Sequence, residues 1–249
     1  MAALTLEKLT VSFGGLIAVN ELDLHISDGE LRCLLGPNGA GKSTTLDLIC
    51  GKTKPTSGRV LLGNKDITHL EEFKRARAGV GRKFQTPTVF KELNVIENLE
   101  IGRSARPGIA STLRVFRTPV SGRIREVLSL VGLEGEMFTK AENLSHGQTQ
   151  WLELAMLLMQ DCQVILMDEP TAGMTVQETN QTAALFRELQ GDHTMIVVEH
   201  DMAFVRDIAD IVTVMDSGSL LAEGNIAEIE SNAAVREAYL ADVGDDEHA

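Results

Sequence analysis

Three cysteines, Cys33, Cys50 and Cys162, are scattered over 249 residues. They are too few and too far apart for a disulfide framework or a metal cage, and read as small buried hydrophobes. No stretch approaches the roughly 18 uncharged apolar residues that span a bilayer. The opening, MAALTLEKLT, has neither a basic start nor a long apolar run, so the expectation is a cytoplasmic chain unless a partner holds it at a membrane. Positive charge is also short. The 23 Lys and Arg against 36 Asp and Glu give a net charge of -13, whereas a general nucleic-acid binder carries a basic face. Part of the excess is local, with eight acids and one arginine between Glu223 and Ala249, a solvated acidic tail. Internal repeats and low-complexity linkers are lacking too. What is present is an ordinary globular composition, 43% hydrophobic, long enough for one large domain or two small ones.

The most informative segment is GPNGAGKST, residues Gly36, Pro37, Asn38, Gly39, Ala40, Gly41, Lys42, Ser43 and Thr44. It lies between the apolar run Leu31 to Leu35 and a helix-like run to Cys50, the strand-loop-helix context of a phosphate-binding loop. Gly36, Gly39 and Gly41 tolerate positive φ and let several N–H groups point inward. Lys42 offers a point charge for β- and γ-phosphates, and Ser43 a hydroxyl for Mg²⁺.

Strand candidates are Leu4 to Phe13, Glu21 to Ile26, Leu31 to Leu35, Arg59 to Leu62, Val80 to Phe84, Val164 to Met167, Met195 to Val198, Val212 to Met215 and Ser219 to Ala222. The last two are joined by a hairpin turn at Asp216-Ser217-Gly218. Helical character falls between the halves, at Asn94 to Arg103, Ser121 to Val131 and Ser145 to Gln160. Short apolar strands followed by helices indicate an α/β core with a largely parallel sheet, and the middle helices an inserted subdomain. Six arginines and no acid lie between Ile101 and Arg125. Pro107-Gly108 and Pro119 mark this stretch as a loop with a short helical piece, either solvated or facing anionic headgroups or an acidic partner.

Val164 to Met167 ends in Asp168-Glu169-Pro170. Two carboxylates at the end of a buried strand sit where α/β folds bind ligands. Asp168 can hold the Mg²⁺ hydration shell, and Glu169 can polarise an attacking water. Ser145 with Gln148 three residues on forms a capping box, marking a helix N-terminus that attracts phosphate.

LSHGQ just upstream of ILMDEP, with GPNGAGKST far upstream, resembles the nucleotide-binding subunit of an ATP-binding cassette (ABC) transporter, and the similarity runs from Leu4 to about Leu240. The resemblance implies a P-loop NTPase (RecA-like) α/β core with a mixed sheet, an N-terminal antiparallel β subdomain and an inserted α-helical subdomain. It implies one ABC ATPase domain over 4–248, with the core at about 1–86 and 161–249 and the insertion at about 87–160. It implies ATP and Mg²⁺ as ligands, with Ser43, Gln85 and Asp168 at the metal. Glu169, His200 and Gln85 act in hydrolysis, and Phe13 stacks on adenine unless it is a core residue. Ser145 and Gly147, with Gln148, meet the γ-phosphate bound by a second ABC ATPase subunit, identical or different. Two transmembrane permease subunits are implied as partners, reached through Gln85 to Asn98, with an extracytoplasmic solute-binding protein beyond them and no nucleic acid. The place is the cytoplasmic face of the plasma membrane, peripherally bound.

Two positions depart from the pattern. His146 stands where glycine is commonest, and Thr175 where an aspartate often ends the loop after Pro170. Nothing beyond about Leu240 suggests an added regulatory domain, so a minimal subunit is expected. SFGGLIAV, Glu199-His200-Asp201-Met202, VTVMDSGSLLAEG and the Val235 to Leu240 ending are similar to ATPases of branched-chain amino-acid importers and their relatives. GRKFQTPTVFKELNVIENLEIG, LSHGQTQWLELAMLLMQ and EPTAGMT look most like the urea-importer ATPase. A soluble non-transport ABC ATPase is the alternative of another class; such proteins usually carry tandem cassettes or long coiled-coil insertions, and neither is present.

Overall fold

The computed structural model describes residues 2–83, 89–104 and 122–238. Gln85 and Arg106, Arg114 and Arg117 lie outside these residues, as does the acidic stretch after 238.

Two sheets pack together. The first is antiparallel, in the order β2-β1-β4-β5, from β1 (Ala2–Phe13), β2 (Leu16–Ser27), β4 (Ser57–Leu62) and β5 (Lys65–Asp66). The second has the order β10-β9-β3-β8-β7-β6, from β3 (Leu31–Leu35), β6 (Val80–Lys83), β7 (Val164–Asp168), β8 (Thr194–Val198), β9 (Ile211–Asp216) and β10 (Ser219–Gly224). It is parallel except for the β9-β10 hairpin. All five residues of β3, β7 and β8 are buried, as expected of largely apolar strands in a sheet covered on both faces. Alternation divides them: Leu31, Cys33, Leu35, Ile165 and Met167 face the helical side, while Leu34, Val164 and Leu166 face the antiparallel sheet and α1 (Lys42–Cys50).

The helices are α2 (Glu72–Ala78), α3 (Val95–Ser104), α4 (Gly122–Leu130), α5 (His146–Leu158), α6 (Val176–Leu189), α7 (Met202–Ile208) and α8 (Ile226–Ser231). Helices α3, α4 and α5 pack together as a helical insertion between β6 and β7. Asn94 caps α3 through reciprocal bonds with Glu97, 2.9 and 2.8 Å. The β9-β10 turn is the expected one, with Ser217 and Gly218 both at positive φ (47° and 81°) between paired Asp216 and Ser219. That is the two-residue turn whose twist matches a hairpin. Strand β2 starts five residues before the expected Glu21, because Leu16 to Val19 pairs with the far end of β1 although Leu16 and Ile17 are exposed. Helices α2, α6, α7 and α8 are not marked by hydrophobic periodicity, being short or apolar on a narrow face. Of the arginine-rich stretch, Arg103 ends α3, and Arg123 lies 3.9 Å from both Glu126 and Asp161.

Two buried guanidinium groups fasten the layers. Arg32 in β3 bonds to Thr213 (3.0 Å), to Glu30 (2.6 Å) and to the His25 carbonyl of the other sheet (3.0 Å), and pairs with Glu223. Arg75, only 1% exposed, donates to the carbonyls of Leu48 (2.6 Å) and Ile49 (2.9 Å) at the end of α1, and to Thr68 (2.6 Å) and Leu70 (3.0 Å). A cation at that end complements the helix dipole, whose positive end points at the phosphate-binding loop. Arg75→Met should leave four carbonyls without this donor and lower unfolding free energy by at least about 3 kcal/mol, read as a reduced denaturant midpoint; an unchanged midpoint would contradict this role.

Candidate active site

The loop 36–44 leaves the end of β3 and enters α1. Gly36 has φ +142°, and a Cβ there would collide with the Met215 carbonyl; at Gly41, φ +97°, a Cβ would come within 2.5 Å of the Ala18 carbonyl. Side chains are thus excluded where the loop is pressed between the β1-β2 hairpin and the β9-β10 turn. Asn20 N donates to Gly218 O (2.8 Å), and Gly218 N to Ala40 O (3.1 Å), tying all three segments together. No side chain among the described residues caps α1, so its first N–H groups suit an anion. Lys42 Nζ donates to the carbonyls of Gly36 (2.6 Å) and Pro37 (2.9 Å), holding the ammonium over the loop.

Register brings the acids to the same edge. Val198 of β8 pairs with both Leu34 of β3 and Asp168 of β7. Ser43 Oγ donates to Asp168 Oδ1 at 3.3 Å, and Arg82 Nη2 lies 3.9 Å from Asp168 Oδ2. Burial pushes the Asp168 carboxyl above the usual carboxylate value, opposed by the Ser43 hydrogen bond and the Arg82 charge. A hydroxyl and a carboxylate oxygen so close form a hard-oxygen pair of the kind that binds Mg²⁺.

Glu169 adopts φ +47°, a conformation that costs a residue with a Cβ about 1 kcal/mol or more. Its N–H still donates to Val198 O at 2.9 Å, so the chain turns only after the ladder is complete and the carboxylate swings outward. His200 Nδ1 lies 3.8 Å from Glu169 Oε1, and the imidazole is 72% exposed. Asp201 fixes that position by capping α7, accepting from Ala203 N (2.9 Å) and Phe204 N (3.2 Å). Phe13 is 50% exposed at the tip of the β1-β2 hairpin, whose Ala18 meets the loop at Gly41, which disposes of the core alternative.

Lys42, Ser43, Asp168, Glu169 and His200 are therefore brought together. Ser145, Gly147 and Gln148 stand apart from them. Ser145 caps α5 in the expected box, its Oγ accepting from Gln148 N (3.2 Å) and its N–H donating to Gln148 Oε1 (2.9 Å). Ser145 Oγ and Gly147 N also donate to Glu178 of α6. The two unusual positions have local roles. The His146 ring lies 2.9 Å from Ala172 O, and Thr175 caps α6.

Several residues escape sequence reasoning. Arg82 joins Asp47 of α1 to Asp168. Lys83 is buried, and burial lowers its pKa against the pull of Glu153, Glu199 and Asp168. Glu199, also buried, accepts from Thr171 N (3.2 Å), Thr171 Oγ1 (2.7 Å) and His200 N (3.2 Å), locking the loop after Pro170 to the histidine. The T-x-x-E spacing of Thr175 and Glu178 is a readable capping signal for α6; for Arg82 and Lys83 only their place in a strand candidate hints at partners.

A family model described as "ABC transporter" matches residues 19–172. The chain is 35% identical over 247 residues to the high-affinity branched-chain amino acid transport ATP-binding protein BraF of Pseudomonas aeruginosa, covering 95% of this chain and 97% of that one. It is similar to the ADP conformation of MJ1267, an ATP-binding cassette of an ABC transporter, with a TM-score of 0.84 and 32% identity over 96% of this chain and 99% of that chain. The dimeric post-hydrolysis state of the cassette MJ0796 bound to ADP and Pi is similar with a TM-score of 0.72 and 26% identity, over 90% and 98% of the two chains. A phosphate-binding loop and two acids on one edge of a sheet of this topology, in a chain so matched, have one reading: the protein belongs to the ABC transporter family, as an ATP-binding ATPase subunit coupled to transport.

Proposed function

We propose that this chain drives an importer for branched-chain amino acids, working as one of two paired cassettes at the cytoplasmic face of a membrane. The observation that carries the chemical part is the convergence of Lys42, Ser43, Asp168, Glu169 and His200 on one sheet edge. Full-length similarity to BraF supports the solute class, and the dimeric MJ0796 cassette supports pairing. Urea is the second reading, favoured by the similarity of GRKFQTPTVFKELNVIENLEIG and LSHGQTQWLELAMLLMQ to the urea-importer ATPase; the curated relatives favour amino acids. An ATPase never touches the solute, so site chemistry does not separate the two.

In this mechanism the loop N–H groups and Lys42 hold the β- and γ-phosphates, while Phe13 stacks on adenine. Ser43 and Asp168, with Gln85 from outside the described residues, would hold Mg²⁺, which would neutralise charge on the phosphates. Glu169 takes a proton from water as the water oxygen attacks the γ-phosphorus, and the bond to the β-bridging oxygen breaks to leave ADP and phosphate. His200 steadies the γ-phosphate and the water. Ser145, Gly147 and Gln148 of a second cassette close the site, and loss of the bridging charge reopens it. The difference in contacts between those states is the coupling free energy. The helices α3 to α5 support the division into a core at about 1–86 and 161–249 and an insertion at about 87–160. A cleft of about 310 Å³ between β6 and α5, lined by Arg82, Lys83, Glu153 and Met156, suits contact with a permease. Among the described residues no helix is long and apolar enough to cross a membrane itself.

Lys42→Ala should weaken ATP binding by about tenfold or more, measured by equilibrium titration; unchanged affinity would contradict the loop assignment. Glu169→Gln should bind ATP normally but lose about a hundredfold or more in single-turnover hydrolysis, and hydrolysis at the parent rate would remove Glu169 as the base. Deletion of the gene should slow growth on limiting branched-chain amino acids as sole nitrogen source and spare growth on urea. The reverse pattern would favour urea, and co-purification with ribosomes or DNA in place of membrane proteins would overturn transport.

A further inference from the structure

Glu178 binds the same two donors that the paired-cassette reading assigns to the γ-phosphate. Its Oε1 accepts from Ser145 Oγ at 2.9 Å and from Gly147 N at 3.2 Å. Its Oε2 accepts from Thr175 N and Thr175 Oγ1, both at 3.0 Å. Gly147 has no side chain to spare for this contact, since a Cβ would lie 2.5 Å from Glu178 Oε1. The carboxylate thus spans two helix N-termini, at α5 and α6, and each supplies donors and a positive dipole end. Hydrogen bonds from Thr175, then from Ser145, hold its carboxyl below the usual range, so it is an anion at neutral pH. Two anions cannot share Ser145 Oγ–H and Gly147 N–H.

We propose that Glu178 is an internal competitor for the γ-phosphate, a positioning residue that occupies the Ser145-Gly147 donors in the separate cassette and must release them before a second cassette's ATP can be sandwiched. This rests on the paired-cassette reading given above. The consequence is a threshold: the contact keeps the α5 start aligned and anchored to the loop 171–175, and it opposes closure until a bound triphosphate outcompetes a carboxylate. The Thr175 contacts use the other carboxylate oxygen, so the Ser145-Gly147 pair can be released while the α6 cap is kept.

The test uses Glu169→Gln as parent, with ATP-dependent self-association followed by light scattering. Glu178→Gln is the informative second change. An amide has one acceptor oxygen where the carboxylate has two, so Gln can keep the Thr175 cap, which accepts Glu or Gln, while giving up the Ser145-Gly147 pair. The double variant should pair at about five- to tenfold lower ATP than the parent, as loss of a charge-assisted contact implies. Glu178→Ala should move pairing the same way while lowering thermal stability through the lost cap, separating the competitor role from the structural one. Pairing at unchanged or higher ATP in Glu178→Gln, with the fold intact by unfolding, would overturn the proposal. A parent that stays monomeric with ATP would count against the pairing of two identical cassettes, and with it against a Glu178 threshold on such pairing.

Discussion

The site depends on one hydrogen-bonded ladder. Because Val198 of β8 pairs with Leu34 on one side and Asp168 on the other, the phosphate loop after β3, the acids after β7 and the histidine after β8 leave the sheet at one level. Parallel strands put all their carboxyl ends on the same edge, where ligands of open α/β sheets bind. The five-residue strands are buried on both faces and cannot slip by one residue without turning a whole apolar set toward the wrong layer. Packing of Leu, Ile, Val and Met side chains is therefore what fixes the spacing of the polar ones.

The polar groups at that edge are held under tension of two kinds. Asp168 is a buried carboxylate whose charge is opposed by burial and supported by Ser43 and Arg82. Glu169 is held in a left-handed conformation that glycine would adopt more cheaply. Neither helps the fold by itself. Each makes sense as a group arranged for a triphosphate and a water, with Arg32 and Arg75 securing the surrounding layers. Glu178 extends the same logic to α5, where an internal carboxylate satisfies the donors that the proposed pairing assigns to a second anion.

Much of this was legible in the sequence because its signals are local. GPNGAGKST, the apolar run ending in Asp168-Glu169, the Ser145-Gln148 box and the Asp216-Ser217-Gly218 turn each carry their own chemistry within a few residues. What the sequence hid depends on register and on contacts between distant segments. That Arg82 reaches Asp47 and Asp168, that Glu199 locks Thr171 and that Glu178 meets Ser145 follow only once β6, β7, β8, α5 and α6 are placed. The early start of β2 was missed because Leu16 and Ile17 are exposed, so its pairing leaves no burial pattern. The solute was least legible, since no residue of the site meets it, and overall likeness favours amino acids where short segments suggest urea.

A site shared between two cassettes and guarded by Glu178 would be visible in a crystal structure of the Glu169→Gln chain with ATP and Mg²⁺. The expected structure has a triphosphate in the 36–44 loop, Ser145 and Gly147 of a second chain on its γ-phosphate, and Glu178 withdrawn from both. A triphosphate contacted by one chain alone, or one shared by two chains with Glu178 still bonded to Ser145 and Gly147, would contradict it.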